Sequence, residues 1–195
     1  MINFKSARFI KSAPTYMDAP EIVLPEIIVI GKSNVGKSSL LNALCENKNL
    51  AFTSSKPGYT KLLNYFDVEG KFYLVDAPGY GYTITGSKHL DLFSNMMEDY
   101  FKSVHHLKGV IYLLDSRHEP SQDDKDFHDF LLKQGIPFVL VVTKIDKLNQ
   151  SEKSKITKNL NVAFGDLSDT NVVLTSSLEP RTLLPLKRAI DKLLS

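Results

Sequence analysis

The sequence contains no tryptophan and a single cysteine, Cys45, among 195 residues. One cysteine cannot form an intramolecular disulfide, which favours a reducing compartment, so we expect a cytoplasmic protein. No apolar run approaches the roughly 18 residues that a membrane-spanning helix needs, so we expect no membrane partner. Net charge is also scarce, because 24 Lys and Arg nearly balance 22 Asp and Glu to give +2. Whole-chain charge therefore gives no signal for DNA, and only local basic patches remain available for RNA.

The remaining composition is that of an ordinary globular domain, with 43% hydrophobic and 24% charged residues. The length predicts one domain, which we place at residues 25–195. Residues 1–24 are expected to be an extension that packs on this domain or leads into it, with an organelle transit peptide as the alternative because Lys5, Arg8 and Lys11 lack acidic neighbours. Nothing in the sequence indicates a dimer interface, and we expect a monomer.

Strand-like apolar runs alternate with helix-like segments along the chain. Six runs are predicted to be strands: Glu26–Ile30, Leu63–Val68, Phe72–Val75, Val110–Leu114, Phe138–Val142 and Val172–Leu174. The short link around Gly70 makes the second and third of them an antiparallel hairpin. Apolar positions at helical spacing predict helices at 90–104, 123–133 and 183–194, and Ser151 is the predicted cap of another helix that runs through Asn161. This order predicts an α/β fold with three layers and a mostly parallel six-stranded sheet that contains one antiparallel strand.

A phosphate-binding motif follows the first predicted strand. Gly31–Ser38 reads G-x-x-x-x-G-K-S between a strand and a helix, and we call this segment the phosphate loop. Its glycines let backbone N–H groups approach oxyanions, and the start of the next helix directs its positive end to the same point. Lys37 is expected to reach the β- and γ-phosphates, and the Ser38 hydroxyl to bind Mg²⁺.

Two further segments fit a nucleoside triphosphate. Asp76–Gly79 follows a predicted strand, where a carboxylate can hold a water on Mg²⁺ and a glycine N–H can sense a γ-phosphate. The segment from Ser55 to Thr60 precedes the second predicted strand, and its position predicts a loop that becomes ordered around the triphosphate. Thr60 is then the second protein hydroxyl on Mg²⁺, whereas a simple Pro-Gly turn is the alternative interpretation.

Two later strand ends select the base. Thr143–Asp146 reads T-K-I-D, and the Asp146 carboxylate can accept from both N1–H and the 2-amino group of guanine. Adenine offers neither donor in that arrangement, so the pattern predicts GTP and GDP as ligands. The Lys144 stem can cover the ring, and a backbone N–H of Thr175–Ser177 can donate to guanine O6. An ATP-dependent phosphoryl-transfer kinase is a weaker alternative, which Asp146 argues against.

The chain resembles translation-factor-class GTPases and, within them, the EngB family of bacterial ribosome-biogenesis GTPases, also called the YihA/YsxC family. The resemblance rests on Ser33–Asn42, on D-A-P-G-Y-G-Y from Asp76, on D-S-R-H-E-P from Asp115, and on T-K-I-D-K-L from Thr143. The chain departs from the usual family pattern at Lys32, at Tyr59 and in Thr175–Ser177, which is a loose version of the last guanine-contacting motif. The resemblance implies a P-loop GTPase (G) domain that binds a precursor of the large ribosomal subunit, with its RNA and proteins, and that assists late assembly. It also implies a link to normal cell division and septation.

GTP hydrolysis by in-line attack of water is the expected reaction, with Lys37, Thr60 and Gly79 in catalytic roles. Tyr80 stands where a signalling GTPase carries a water-orienting glutamine, so we expect a slow intrinsic rate, on the order of 10⁻⁴–10⁻² s⁻¹. A GTP/GDP-dependent interaction module without hydrolysis is the alternative. Asn34 suggests a K⁺ site beside the phosphates, although it can simply brace the loop.

The predicted site residues share positions at the carboxyl ends of strands or in the loop before the second strand. Ser38 and Thr60 are the predicted metal ligands. The full nucleotide-binding set is Gly31, Lys32, Ser33, Asn34, Val35, Gly36, Lys37, Ser38, Gly58, Tyr59, Thr60, Lys61, Leu62, Asp76, Ala77, Pro78, Gly79, Thr143, Lys144, Ile145, Asp146, Thr175, Ser176 and Ser177.

Overall fold

The computed structural model describes residues 2–51, 62–80 and 88–195, and only the backbone of residues 88–94. The strands in these ranges are β1 (Arg8–Ala13), β2 (Glu26–Gly31), β3 (Leu63–Val68), β4 (Phe72–Asp76), β5 (Leu107–Asp115), β6 (Phe138–Thr143) and β7 (Asn171–Leu174). The α-helices are α1 (Lys37–Leu44), α2 (Lys88–Ser103), α3 (Gln122–Lys133), α4 (Gln150–Phe164) and α5 (Leu184–Leu194). Short 3₁₀ turns lie at Phe4–Ser6, Tyr16–Asp18, Ile145–Lys147 and Pro180–Leu183.

The strands form one sheet in the order β1-β3-β4-β2-β5-β6-β7. Strand β3 runs antiparallel to both of its neighbours, β1 and β4, and the other pairings are parallel. The predicted mostly parallel sheet with one antiparallel strand is therefore confirmed. All six predicted strands are present.

The predicted count of six strands was one short, because β1 adds a seventh strand at the edge of the sheet. Its first three residues are exposed, and its pairing with β3 is interrupted between Phe9 and Lys11. An exposed, irregular edge strand shows neither a continuous apolar run nor a clean alternation, so the pattern that marks buried strands is absent.

Helices cover both faces of the sheet, which confirms the three-layer architecture. Alternate residues of β2 point to opposite faces. Ile27 and Val29 pack in one core with α1 and α5, whereas Ile28 and Ile30 pack in the other with α2, α3 and α4. No helix of the described residues is long and apolar enough to cross a bilayer.

The topology brings the predicted site together. The carboxyl ends of β2, β4, β5, β6 and β7 point to the same edge because these strands are parallel. The segments that begin at Gly31, Asp76, Asp115, Thr143 and Thr175 therefore lie along that edge, where open α/β sheets bind their ligands.

Candidate functional site

The phosphate loop turns sharply between β2 and α1. Asn34 and Gly36 have positive φ angles of 64° and 103°. A Cβ on Gly31 would lie 2.9 Å from both Leu113 Cβ and Val35 Cγ1, so a side chain does not fit at the end of β2. Helix α1 begins at Lys37 without a side-chain cap, so its first N–H groups face the loop. This is the arrangement that binds phosphate oxygens.

Lys37 meets the carboxylate of Asp76 in a nearly buried ion pair. The Lys37 ammonium bonds to Asp76 Oδ1, and only 10% and 5% of the two side chains are exposed. Ser38 follows Lys37 in the first turn of α1 and is half-buried. A lysine, a hydroxyl and a carboxylate thus converge where phosphates and their divalent cation would be bound.

The Asp76–Gly79 segment packs directly on the phosphate loop. Ser33 N–H donates to the Tyr80 carbonyl oxygen at 2.9 Å, and Tyr80 N–H donates to the Gly31 carbonyl oxygen at 3.3 Å. A Cβ on Gly79 would lie 2.9 Å from Ser33 N and Cα, so only glycine allows this approach. Ala77 is buried, and its N–H donates to Val29 O at 3.2 Å.

The Thr143–Asp146 turn is attached to the opposite side of the phosphate loop. Thr143 Oγ1 donates to Val35 O at 2.7 Å. Lys144, with a φ of 60°, directs its ammonium to Asn34 O at 2.6 Å and to Asp115 Oδ2 at 2.8 Å. The aliphatic stem of Lys144 therefore spans the space between the T-K-I-D turn and the phosphate loop.

Asp146 is held as an ionised acceptor. Ser176 Oγ donates to Asp146 Oδ1 at 2.6 Å, and Lys147 Nζ lies 3.3 Å from Oδ2. The Ser176 hydrogen bond, followed by the Lys147 charge, lowers the pKa of the Asp146 carboxyl below its ordinary value. An acceptor that is ionised at neutral pH suits a base edge with two N–H donors.

Thr175–Ser177 is the second segment predicted to contact the base, and any of its backbone N–H groups was expected to be able to donate to guanine O6. Thr175 N–H donates to Val142 O at 2.7 Å, and Ser176 N–H donates to Thr182 Oγ1 at 2.9 Å. Of the three, only the Ser177 N–H donates no hydrogen bond within the described residues. The candidate donor is therefore narrowed to Ser177.

Asp115 was not among the predicted site residues, yet it joins the site. Burial raises the pKa of its carboxyl, but hydrogen bonds from Arg117 and Lys144 outweigh this and hold the pKa well below its ordinary value. Arg117 Nε and Nη2 bond to the two carboxylate oxygens at 2.9 and 2.7 Å. The signal in the sequence was a carboxylate at the carboxyl end of a strand, the same position that identified Asp76.

A groove of about 390 Å³ adjoins the site on the side of β5 and α4. It lies between the outer side of the phosphate loop at residues 32–35, the segment 113–120, and α4. Lys32 Nζ lies 3.5 Å from Asp124 Oδ2, and both residues line the groove. The groove adds a surface beside the nucleotide-binding edge.

The predicted residues therefore divide into three groups. The residues of the phosphate loop, Asp76–Gly79, Thr143–Asp146 and Thr175–Ser177 lie at one edge of the sheet. Leu62 precedes β3 and is half-buried. Gly58, Tyr59, Thr60 and Lys61 lie outside the described residues.

Comparison with known protein families gives a consistent result. A family model described as "50S ribosome-binding GTPase" matches residues 26–144. A probable GTP-binding protein EngB of Leuconostoc citreum is 42% identical over 177 residues, which covers 90% of this chain and 91% of the relative. A protein of the same name in Mycoplasma mycoides subsp. mycoides is 42% identical over 191 residues and 97% of both chains.

Solved structures share the fold. A crystal structure of a probable GTP-binding protein engB matches with a TM-score of 0.69 at 20% identity, over 87% of this chain and 98% of that one. Aquifex aeolicus Era bound to GDP and AlF₄⁻ also matches with a TM-score of 0.69 at 24% identity, over 89% of this chain and 58% of that one. Era in complex with MgGDPNP and a segment of 16S ribosomal RNA matches with a TM-score of 0.62 at 22% identity, over 89% and 57%.

Proposed function

Because this chain belongs to the EngB family of GTP-binding proteins and hydrolyses GTP, we propose that it acts as a slow GTPase in assembly of the large ribosomal subunit. The observation that carries the proposal is the junction of the phosphate loop with the T-K-I-D turn, through the bond from Lys144 Nζ to Asn34 O. That junction is what a guanine nucleotide would require, because its phosphates and its base are recognised by different strand ends. The link to cell division and septation rests on the family resemblance alone.

We assign roles to the residues by their positions. Lys37 and the N–H groups at the start of α1 bind the β- and γ-phosphates, and Gly79 N–H senses the γ-phosphate. Asp146 accepts from guanine N1–H and the 2-amino group, while the Ser177 N–H donates to O6. These groups act by holding the phosphates and water in line and by neutralising developing charge.

The residues present fit a magnesium ion. Ser38 supplies a hydroxyl next to Lys37, and Asp76 supplies a carboxylate that already bonds a cation, the Lys37 ammonium. Oxygen donors of this kind, few in number and combined with substrate phosphates, are typical of Mg²⁺ sites. We propose that Ser38 and Thr60 are the protein ligands and that Asp76 holds a metal-bound water. When bound, the ion would neutralise charge on the phosphates.

Slow intrinsic turnover follows from Tyr80. Its hydroxyl bonds to Asp124 at 2.7 Å in a buried position, and a phenol lacks the carboxamide that orients water in signalling GTPases. We propose that the isolated protein turns over at about 10⁻⁴–10⁻² s⁻¹.

A ribosomal RNA surface is the partner that we propose, and α4 is the element that offers it. The sequence also offers two basic clusters, one of Lys5, Arg8 and Lys11 and the other of Lys187, Arg188 and Lys192, and three of these six residues form ion pairs in the structure. Lys5 and Lys187 both bond to Glu46, at 2.8 and 3.3 Å, and Arg8 bonds to Asp67.

Helix α4 carries Lys153, Lys155 and Lys158, none of which takes part in an ion pair among the described residues. Lys155 and Lys158 are exposed, and Lys155 also lines the groove. Free ammonium groups on one helix are suited to RNA phosphates.

Co-sedimentation with large-subunit particles tests this proposal. We expect association with GTP-analogue-bound protein that weakens steeply with salt, and Lys155→Glu combined with Lys158→Glu should reduce the salt slope by about one per lysine. Lys5→Glu combined with Arg8→Glu is the matched control, since these two residues are already paired with Glu46 and Asp67 and their replacement should have a smaller effect. Salt-independent binding, or equal effects of both sets of variants, would contradict the proposal.

A further inference from the structure

Tyr80 joins two parts of the site through its backbone. It follows Gly79 directly, donates its N–H to Gly31 O at 3.3 Å and accepts from Ser33 N–H at 2.9 Å. These two bonds bracket Lys32 in the phosphate loop, and Lys32 and Tyr80 pair as in a short parallel sheet. The position of Gly79 over Ser33 is therefore set by where the backbone of Tyr80 lies.

The side chain of Tyr80 is anchored in the opposite direction. It is only 6% exposed, and its hydroxyl donates to Asp124 Oδ1 at 2.7 Å. Its ring lies 6.1 Å from that of Phe127, centroid to centroid. Burial raises the pKa of the Tyr80 phenol well above its ordinary value, so the hydroxyl remains a hydrogen-bond donor at any working pH.

The acceptor of this bond is itself fixed. Asp124 Oδ2 accepts from both the N–H and the hydroxyl of Ser121, each at 2.7 Å, and the Asp124 N–H donates to Ser121 Oγ at 3.3 Å, which completes the capping box at the start of α3. The Tyr112 hydroxyl donates to the Asp124 carbonyl oxygen at 2.9 Å, and it also lies 3.4 Å from Asp124 Oδ1 and 3.2 Å from the Tyr80 hydroxyl. One carboxylate thus caps a helix with one oxygen and receives Tyr80 with the other, so the anchor cannot shift without disturbing α3.

We propose that Tyr80 is a positioning residue for hydrolysis, whose hydroxyl bond to Asp124 holds Gly79 against the phosphate loop in the place where it meets the γ-phosphate. The residue that follows D-A-P-G then acts through the backbone rather than by orienting water. This inference rests on the proposed role of Gly79. It adds a structural connection from the γ-phosphate sensor to the start of α3.

The substitution Tyr80→Phe tests the inference, because it removes the hydroxyl and keeps the ring against Phe127. We expect kcat for GTP to fall about tenfold, which is about 1.4 kcal/mol in the barrier. KM for GTP and the affinity for GDP should change less than twofold, since Lys37 and Asp146 are untouched. Single-turnover hydrolysis and nucleotide titration measure the two effects separately.

Two control variants separate positioning from general loosening of the structure. Tyr73→Phe removes a phenol hydroxyl that donates to Ile22 O at 3.1 Å, and Asn149→Ala weakens the capping box of α4, but neither change touches the bond from Tyr80 to Asp124. Both should keep kcat within twofold of the parent. A kcat for Tyr80→Phe within twofold of the parent, or an equal loss in either control, would overturn the inference.

Amide hydrogen exchange provides an independent readout. In the Tyr80→Phe variant, the backbone amide hydrogens of residue 80 and of Ser33 should exchange with solvent faster than in the parent. The amide hydrogens of β5 should stay protected. Unchanged exchange at these two amides would also overturn the inference. If the parent protein itself fails to hydrolyse GTP, the proposed function is wrong. If the parent hydrolyses GTP but Tyr80→Phe behaves like the parent, only the role of Tyr80 is wrong.

Discussion

At the scale of single residues, the site is made of polar side chains that satisfy one another across different strand ends. Asp115 illustrates this, because it accepts from Arg117 in its own loop and from Lys144 on the next strand end. The types of residue at the site could be predicted from the sequence, since a carboxylate or a T-K-I-D turn directly after a strand has few structural roles. The sequence could not predict the pairings, which depend on how far each side chain reaches over the edge of the sheet.

The basic clusters show the same limit. Lys5, Arg8 and Lys187 looked available for RNA from the sequence, but each has a carboxylate partner that is distant in sequence. Counting charges along the chain does not reveal such neutralisation, because the partner is brought in by the fold.

Asn34 carries a prediction at this scale. Its positive φ and the bond from Lys144 to its carbonyl oxygen hold it in the phosphate loop, and we propose that its side-chain oxygen binds K⁺ beside the phosphates. Hydrolysis should then be several-fold faster in KCl than in NaCl of equal ionic strength. The variant Asn34→Ala should show the same rate in both salts, and equal rates for the parent protein would contradict a K⁺ site.

At the scale of elements, helix caps refine what periodicity predicts. The sequence predicted that α4 starts after Ser151, but the helix runs from Gln150 to Phe164, with Asn149 as its cap. Asn149 and Glu152 form a capping box, with bonds of 2.9 and 2.7 Å. The Ser151 hydroxyl could also cap a helix. Asn149 is the cap instead because Glu152 lies three positions after it and completes the capping box.

Helix α3 contains a buried histidine that makes folding stability depend on pH. His128 is 2% exposed and lies between Phe164 and Phe138, at ring distances of 4.7 and 5.5 Å. Neither ring nitrogen has a hydrogen-bond partner among the described residues. Burial lowers the pKa of His128, and Asp129 only partly opposes this.

The sign of the effect follows from this shift. In the unfolded chain this histidine takes up a proton near pH 6.5, whereas in the folded chain it does not. The full folding stability is therefore present above pH 6.5, and part of it is lost as pH falls through the lowered pKa of His128. We expect the free energy of unfolding in urea to fall more steeply from pH 7.5 to 5.5 in the parent than in His128→Leu, by at most about 1.4 kcal/mol per pH unit. Replacing the exposed His118 with Gln should leave the slope unchanged, and equal slopes for the parent and His128→Leu would refute the prediction.

At the scale of the whole molecule, the parallel order of the central strands accounts for most of what could be predicted. Near-continuous apolar strands such as Val139–Val142 must be covered on both faces, and that requirement alone implies helices on both sides. The carboxyl ends of such strands meet at one edge, which is why motifs more than 100 residues apart, such as Val35 and Thr143, come into contact. The edge strand β1 lacked this constraint and was missed.

The central claim is that this edge binds a guanine nucleotide, with Asp146 reading the base, and one titration tests it most directly. The affinities of GDP, ADP and xanthosine diphosphate are measured for the parent protein and for Asp146→Asn, which keeps an acceptor for N1–H but presents a donor to position 2. We expect the parent to bind GDP more tightly than ADP or xanthosine diphosphate. The Asp146→Asn variant should lose GDP affinity by about a hundredfold or more. It should gain affinity for xanthosine diphosphate, because the C2 carbonyl of that base accepts a hydrogen bond from the asparagine amide. An Asp146→Asn variant that still binds GDP as tightly as the parent would contradict the account.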